Sequence, residues 1–195
     1  MEKSALIGSN VNYDWNFLNY PIHTVSAKPE KTSKECAILL IHGFGASTDH
    51  WRFNIPILSS KYEVHAIDLL GFGKSPKPQD VEYSGSLWKD QVVAYVKEKI
   101  KKPTIVVGNS LGGYAALAAG AELNELNAGV ILLNAAGYFS EEKTIKKNML
   151  QTSIETVAGI FLKNVVLQRL IFENMRNPKN IKKTLNQVYV CLLYT

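Results

Sequence analysis

The chain has 195 residues, 46% of them hydrophobic and 20% charged, the composition of one globular domain with a sizeable core. Its formal charge of +5 comes from scattered lysines with small clusters at Lys101–Lys102, Lys146–Lys147 and Lys182–Lys183. A nucleic-acid binder would concentrate such charge in a stripe with aromatics between, so no nucleic-acid partner is expected. Two cysteines, Cys36 and Cys191, make neither a disulfide framework nor a metal site. No apolar run reaches the length of a membrane span, and the N-terminus lacks a basic region followed by an apolar one. The expectation is a soluble, cytoplasmic protein.

In chain order, Asn16–Ala27 (NFLNYPIHTVSA) reads as one or two strands of an edge hairpin. Ala37–Gly43 (AILLIHG) is a short continuous apolar run ending in glycine, the pattern of a strand buried on both faces. Three further runs follow at Tyr62–Gly71, Thr104–Asn109 and Gly129–Gly137. Helical patterns separate them at Ser47–Ser60, Ser84–Ile100 and Ser110–Leu126. In the second of these Ser86 is the expected N-cap, and Leu87, Val93, Tyr95, Val96 and Ile100 share an apolar face. Alternation of this kind predicts an α/β fold with a mostly parallel sheet and flanking helices. From Tyr138 to Val190 the pattern is helical, rich in lysine and asparagine, and adds no strand.

Two segments carry chemistry. Gly108-Asn109-Ser110-Leu111-Gly112 matches G-x-S-x-G and lies after a buried strand and at the start of a helix, where a sharp turn would lift the Ser110 hydroxyl clear of the sheet. The blander alternative is that Ser110 only caps that helix. His42–Ser47 (HGFGAS) directly follows the first buried strand. A serine nucleophile needs two preorganised N–H donors for the developing oxyanion. The expected donors are the backbone N–H groups of Leu111, the residue after the nucleophile, and Phe44 in this loop. Gly43, Gly45, Gly108 and Gly112 shape the two turns. His42 reads as a buried histidine whose hydrogen bonds shape the loop, not as a general base.

Asp68–Ser75 (DLLGFGKS) suggests a phosphate loop but has aspartate where the first glycine is needed, and prolines instead of a helix after it. GFGAST likewise lacks the last glycine of a dinucleotide fingerprint. No cofactor is expected.

HGFGAS, DLLGFGKS and GNSLGG together resemble the α/β-hydrolase fold superfamily over roughly residues 20–138, in its serine branch, which includes pheophytinase-like and cyanobacterial-type enzymes. The resemblance implies a serine hydrolase acting on a carboxylic ester of a small hydrophobic substrate through an acyl-enzyme at Ser110. Carbon–carbon bond hydrolases share the G-N-S-x-G-G elbow and are the alternative. A non-catalytic ligand-binding member of the fold is another. The family order is serine, acid, histidine. Yet His23, His42, His50 and His65 all precede Ser110, Asn134 supplies no carboxylate where some relatives take their acid, and Glu141 and Glu142 are poor candidates. By this reading residues 1–137 are the N-terminal part of the hydrolase core, 138–190 begin a helical cap, and the last strands, acid and histidine lie downstream. Cys191–Thr195 (CLLYT) reads as a sequencing artefact of the kind a transposase adaptor encodes. Oligomeric state is not readable.

Overall fold

A computed structural model describes residues 9–13, 15–29 and 35–136, together with residues 173 and 177–179. The chain divides into two compact units, Met1–Phe139 and Ser140–Thr195. The expected helical cap at 138–190 and the segment 191–195 lie almost wholly outside the described residues, so the fold below is that of the first unit.

Its strands are β1 (Ser9–Asn12), β2 (Asn16–Phe17), β3 (Tyr20–Pro21), β4 (Thr24–Ala27), β5 (Ala37–Ile41), β6 (Glu63–Ile67), β7 (Thr104–Asn109) and β8 (Asn127–Leu133). Its helices are α1 (Asn54–Leu58), α2 (Gly85–Tyr95), continued by a π-helical turn at Val96–Ile100, and α3 (Leu111–Glu122), with 3₁₀ turns at Thr48–Trp51 and Asn124–Leu126. The main sheet runs β1-β4-β6-β5-β7-β8. β6, β5, β7 and β8 are parallel, whereas β1 and β4 are antiparallel to each other and β4 to β6.

Every residue of β5 is buried, and successive side chains serve opposite faces. Leu39 and Ile41 join Val106, Trp88, Val92, Tyr95, Ala115 and Ala119 under α2 and α3. Ile38 and Leu40 join Val64, Ala66, Val107, Trp51 and Ile55 on the α1 side. This two-sided burial is why the strand reads as an unbroken apolar run. Removing one such leucine side chain costs about 2–5 kcal/mol.

Several boundaries differ from the sequence expectation. The helix α2 is capped by Ser84, not Ser86: Ser84 is extended and its hydroxyl accepts the Leu87 N–H at 3.2 Å, while Ser86 already lies in the first turn. The hairpin expected within Asn16–Ala27 forms over Asn16–Pro21, but apart from the main sheet. β2 and β3 form a ribbon of their own, and β4 enters the main sheet between β1 and β6, leaving β1 at the edge. The helix expected at Ser47–Ser60 is divided into the 3₁₀ turn and the short α1. β6 stops at Ile67 instead of Gly71, and the last run pairs over Asn127–Leu133, with a register shift opposite Thr104 and Ile105.

Placement of the site follows from strand order. The chain passes from β5 to β6 on one side, then returns to pair β7 on the other side of β5. The loops leaving β5 and β7 therefore emerge side by side at the carboxyl ends of the strands, the usual position of a ligand crevice in an open α/β sheet.

Candidate active site

Ser110 is the single residue between β7 and α3, at φ 51° and ψ −114°. That conformation is costly for a residue with a side chain and persists only where its surroundings impose it. Here they do so through the backbone. The Ser110 N–H donates to the Leu133 carbonyl at 3.0 Å, and the Ser110 carbonyl accepts the N–H groups of Gly113 at 3.0 Å and Ala136 at 2.9 Å. The Ser110 side chain makes no capping hydrogen bond to α3, so the helix-cap alternative does not describe it.

The turn closes only because glycines flank it. A Cβ at Gly108 would fall on the Gly112 carbonyl, and one at Gly112 would lie 2.5 Å from the carbonyl oxygens of both Ile41 and His42. The second contact also shows that α3 begins hard against the end of β5. On the facing loop, a Cβ at Gly43 would lie 3.3 Å from Ser110 Cβ and 3.0 Å from Asn109 Oδ1. Gly45 takes a positive φ of 69° in open space. The HGFGAS loop and the serine turn are thus direct neighbours, brought together by the β5–β7 register that sets Ile41 opposite Gly108.

Phe44 in this loop is 78% exposed, its ring edge-on to Phe72 at 5.3 Å. Among the described residues, neither the Phe44 N–H nor the Leu111 N–H donates to an internal acceptor. For Leu111, at the first position of α3, that is the ordinary condition of a helix start.

His42 is fully buried. Its Nδ1 donates to the Gly43 carbonyl at 2.7 Å and its Nε2 accepts the Leu69 N–H at 3.0 Å, so both ring nitrogens are used and the tautomer is set. Burial pushes its pKa below the usual histidine range, against the opposing pull of the Gly43 carbonyl and of Asp68. A histidine so engaged is not free to take a proton from a serine. His50 sits in the 3₁₀ turn, its pKa lowered by burial and by Arg52. His23 and His65 belong to two further networks, the first around Asp68 and the second around Glu63. Among the described residues no three His, Cys, Asp or Glu side chains gather as a metal site, and no helix is long and apolar enough to cross a membrane.

Asp68 entered the sequence analysis as a failed phosphate-loop position and as the first residue of the DLLGFGKS motif, with no role of its own. It is fully buried and its carboxylate accepts three donors, from Thr48, Lys74 and His23. The only signal for it was the glycine-rich turn that follows.

Residues 37–175 match the family described as alpha/beta hydrolase fold. The chain is 29% identical over 186 residues to the chloroplastic pheophytinase of Arabidopsis thaliana, covering 78% of this chain and 38% of that protein. It is 38% identical over 112 residues to 2-hydroxy-6-oxo-6-(2'-aminophenyl)hexa-2,4-dienoic acid hydrolase of Metapseudomonas resinovorans, covering 53% of this chain and 37% of that one. A membrane phospholipase A described as a bacterial virulence factor superposes with a TM-score of 0.68 at 28% identity, over 93% of this chain and 52% of its own. These relatives and fold neighbours are hydrolases. The chain spans well under half the length of the two sequence relatives and about half that of the phospholipase.

Proposed function

We propose, because the chain belongs to the α/β hydrolase fold family, that the whole protein is a serine hydrolase cleaving a carboxylic ester of a hydrophobic substrate. The observation that carries this reading is Ser110 itself, held at φ 51° between a buried strand and a helix with the HGFGAS loop against it. Ser110 Oγ attacks the ester carbonyl carbon as its proton passes to a histidine. The N–H groups of Phe44 and Leu111 hold the resulting oxyanion. Collapse breaks the ester C–O bond, the histidine returns the proton to the leaving alkoxide, and acyl-Ser110 remains. Water, deprotonated by the same histidine, then releases the acid. No histidine follows Ser110 within the 195 residues, so that histidine and its acid partner are assigned to sequence outside this chain, with residues 138–190 beginning a cap over the substrate.

The similarity to a dienoic acid hydrolase favours carbon–carbon bond hydrolysis as the second reading. Both make the same first test. The whole protein is assayed with a short nitrophenyl ester and a dienone acid, beside its Ser110→Ala variant. Loss of a nucleophile costs on the order of a million-fold in kcat where a full triad operates. Turnover of the ester that disappears in Ser110→Ala supports the esterase, turnover of the dienone the second reading. A rate unchanged in Ser110→Ala sinks both readings, and no turnover of either substrate sinks both and favours a ligand-binding role. The 195-residue chain alone is expected to turn over little or nothing.

A further inference from the structure

We propose that His23 and Asp68 are a buried positioning pair that fixes the HGFGAS loop, and with it the Phe44 N–H; the oxyanion role of that N–H rests on the serine hydrolase reading. Asp68 is the first residue after β6 and its neighbour is Leu69. These two adjacent residues hold both ends of the loop. At the near end the Leu69 N–H donates to His42 Nε2 at 3.0 Å. At the far end the Thr48 N–H donates to Asp68 Oδ1 at 2.6 Å. Phe44 lies between the two anchors.

The orientation of Asp68 depends in turn on His23. Its Nδ1 lies 3.0 Å from Asp68 Oδ2, which also accepts the Lys74 N–H at 2.7 Å. The main chains are joined as well: the Asp68 N–H donates to the His23 carbonyl at 2.9 Å. Ser75 Oγ accepts the His23 N–H at 3.1 Å and donates to the Asp68 carbonyl at 2.9 Å. His23 and Asp68 are 1% and 0% exposed, so neither can exchange its partner for water. A carboxylate without solvent is tolerated only when its lone pairs are met, and charge-assisted bonds to fixed backbone N–H groups meet them with directional precision. A Cβ at Gly73 would overlap the Asp68 carboxylate, which shows how closely the following turn wraps it. Nothing in the ester mechanism uses either side chain directly. Their chemistry is that of a clamp: one carboxylate converts a bond from the N-terminal segment into the position of a loop on the other side of β6.

The test uses the whole protein with His23→Leu, which removes the donor, His23→Gln, which keeps one, and Asp68→Asn, which keeps the shape. Amide exchange is followed in residues 43–48 and in β7, alongside kcat and KM. Misplacing catalytic geometry slightly costs on the order of 100-fold. His23→Leu is expected to speed exchange at 43–48 about tenfold more than in β7 and to lower kcat by about 10–100-fold at constant KM. His23→Gln should recover most of both. Equal acceleration in β7, or unchanged exchange at 43–48 in a folded variant, overturns the proposal. So does failure of both His23→Leu and Asp68→Asn to fold, since the pair would then serve the fold as a whole. If the unmutated protein shows no Ser110-dependent turnover, the hydrolase reading has failed, and the exchange arm still decides whether the pair holds the loop.

Discussion

Strand β6 carries a carboxylate–histidine pair at each end, and the two are built differently. At its carboxyl end Asp68 faces His23 and the backbone N–H groups of Thr48 and Lys74, with the side chains of both His23 and Asp68 sealed from solvent. At its amino end Glu63 faces His65 at 3.0 Å, Lys28 at 3.0 Å and Lys102 at 2.5 Å. Those lysine side chains are 68% and 26% exposed. Backbone donors cannot move without moving the chain, so the Asp68 cluster specifies geometry. Lysine ammonium groups on flexible stems follow the carboxylate wherever it goes, so the Glu63 cluster supplies charge and little position. The consequence is visible in Glu63, whose pKa is lowered to about 2 by Lys102, Lys28 and His65 despite the opposing effect of burial. One end of the sheet is wired for placing loops beside Ser110. The other anchors strand ends, with His65 Nδ1 bonded to Tyr95 OH at 3.1 Å.

The contrast can be broken by mutation. Asp68→Ala leaves the buried Thr48 N–H without its acceptor and His23 Nδ1 with only the Thr48 hydroxyl, 3.3 Å away, and an expected loss of about 3–5 kcal/mol should appear in chemical denaturation. Glu63→Gln keeps an acceptor oxygen for the buried His65 and leaves the two lysines access to water, so it should cost only about 1 kcal/mol, shrinking further in high salt. A cost at Glu63 equal to that at Asp68 would remove the distinction.

Acidification sharpens it. A carboxylate whose folded pKa lies below its unfolded value stabilises the fold above the unfolded value and loses that contribution as pH falls towards the folded one. For Glu63 the window runs from 4.5 down to about 2. The His65 pKa is lowered by burial, against the pull of Glu63, so its contribution is complete above 6.5 and declines as pH falls below it. Thermal midpoints of the unmutated protein should therefore drop on acidification through both windows. The drop between 4.5 and 2 should be shallower in Glu63→Gln. Parallel curves for the two proteins would show that Glu63 carries no such linkage. The smallest effect belongs to Lys28→Ala, expected within about 0.5 kcal/mol because the ammonium is largely hydrated already.

Much of the sheet was legible beforehand because burial on both faces leaves a mark: Ala37–Ile41 (AILLI) and the Ile105–Val107 stretch of TIVVGN are unbroken apolar runs between helices packed on either side. β1 left none, since SNVN at an edge pairs through its backbone and needs no apolar run. Ser84 and Ser86 could not be told apart locally, both preceding the same apolar face, and only the extended backbone at Ser84 decides between them. The serine turn was readable because its strain demands glycines at fixed offsets. His23 and Asp68 were not, because a histidine among short strands and an aspartate before a glycine-rich turn carry no mark of each other.

The sequence by itself determined the buried strands, the glycine-framed Ser110 turn and the HGFGAS loop, each a local requirement of burial or backbone strain written into adjacent residues. Only the tertiary structure decided that β5 lies between β6 and β7, so that the two loops meet, and that Asp68 and His23 are sealed together behind them. Hydrogen-bonded strand order and the satisfaction of a buried carboxylate are agreements between distant segments, and those exist only once the chain has folded.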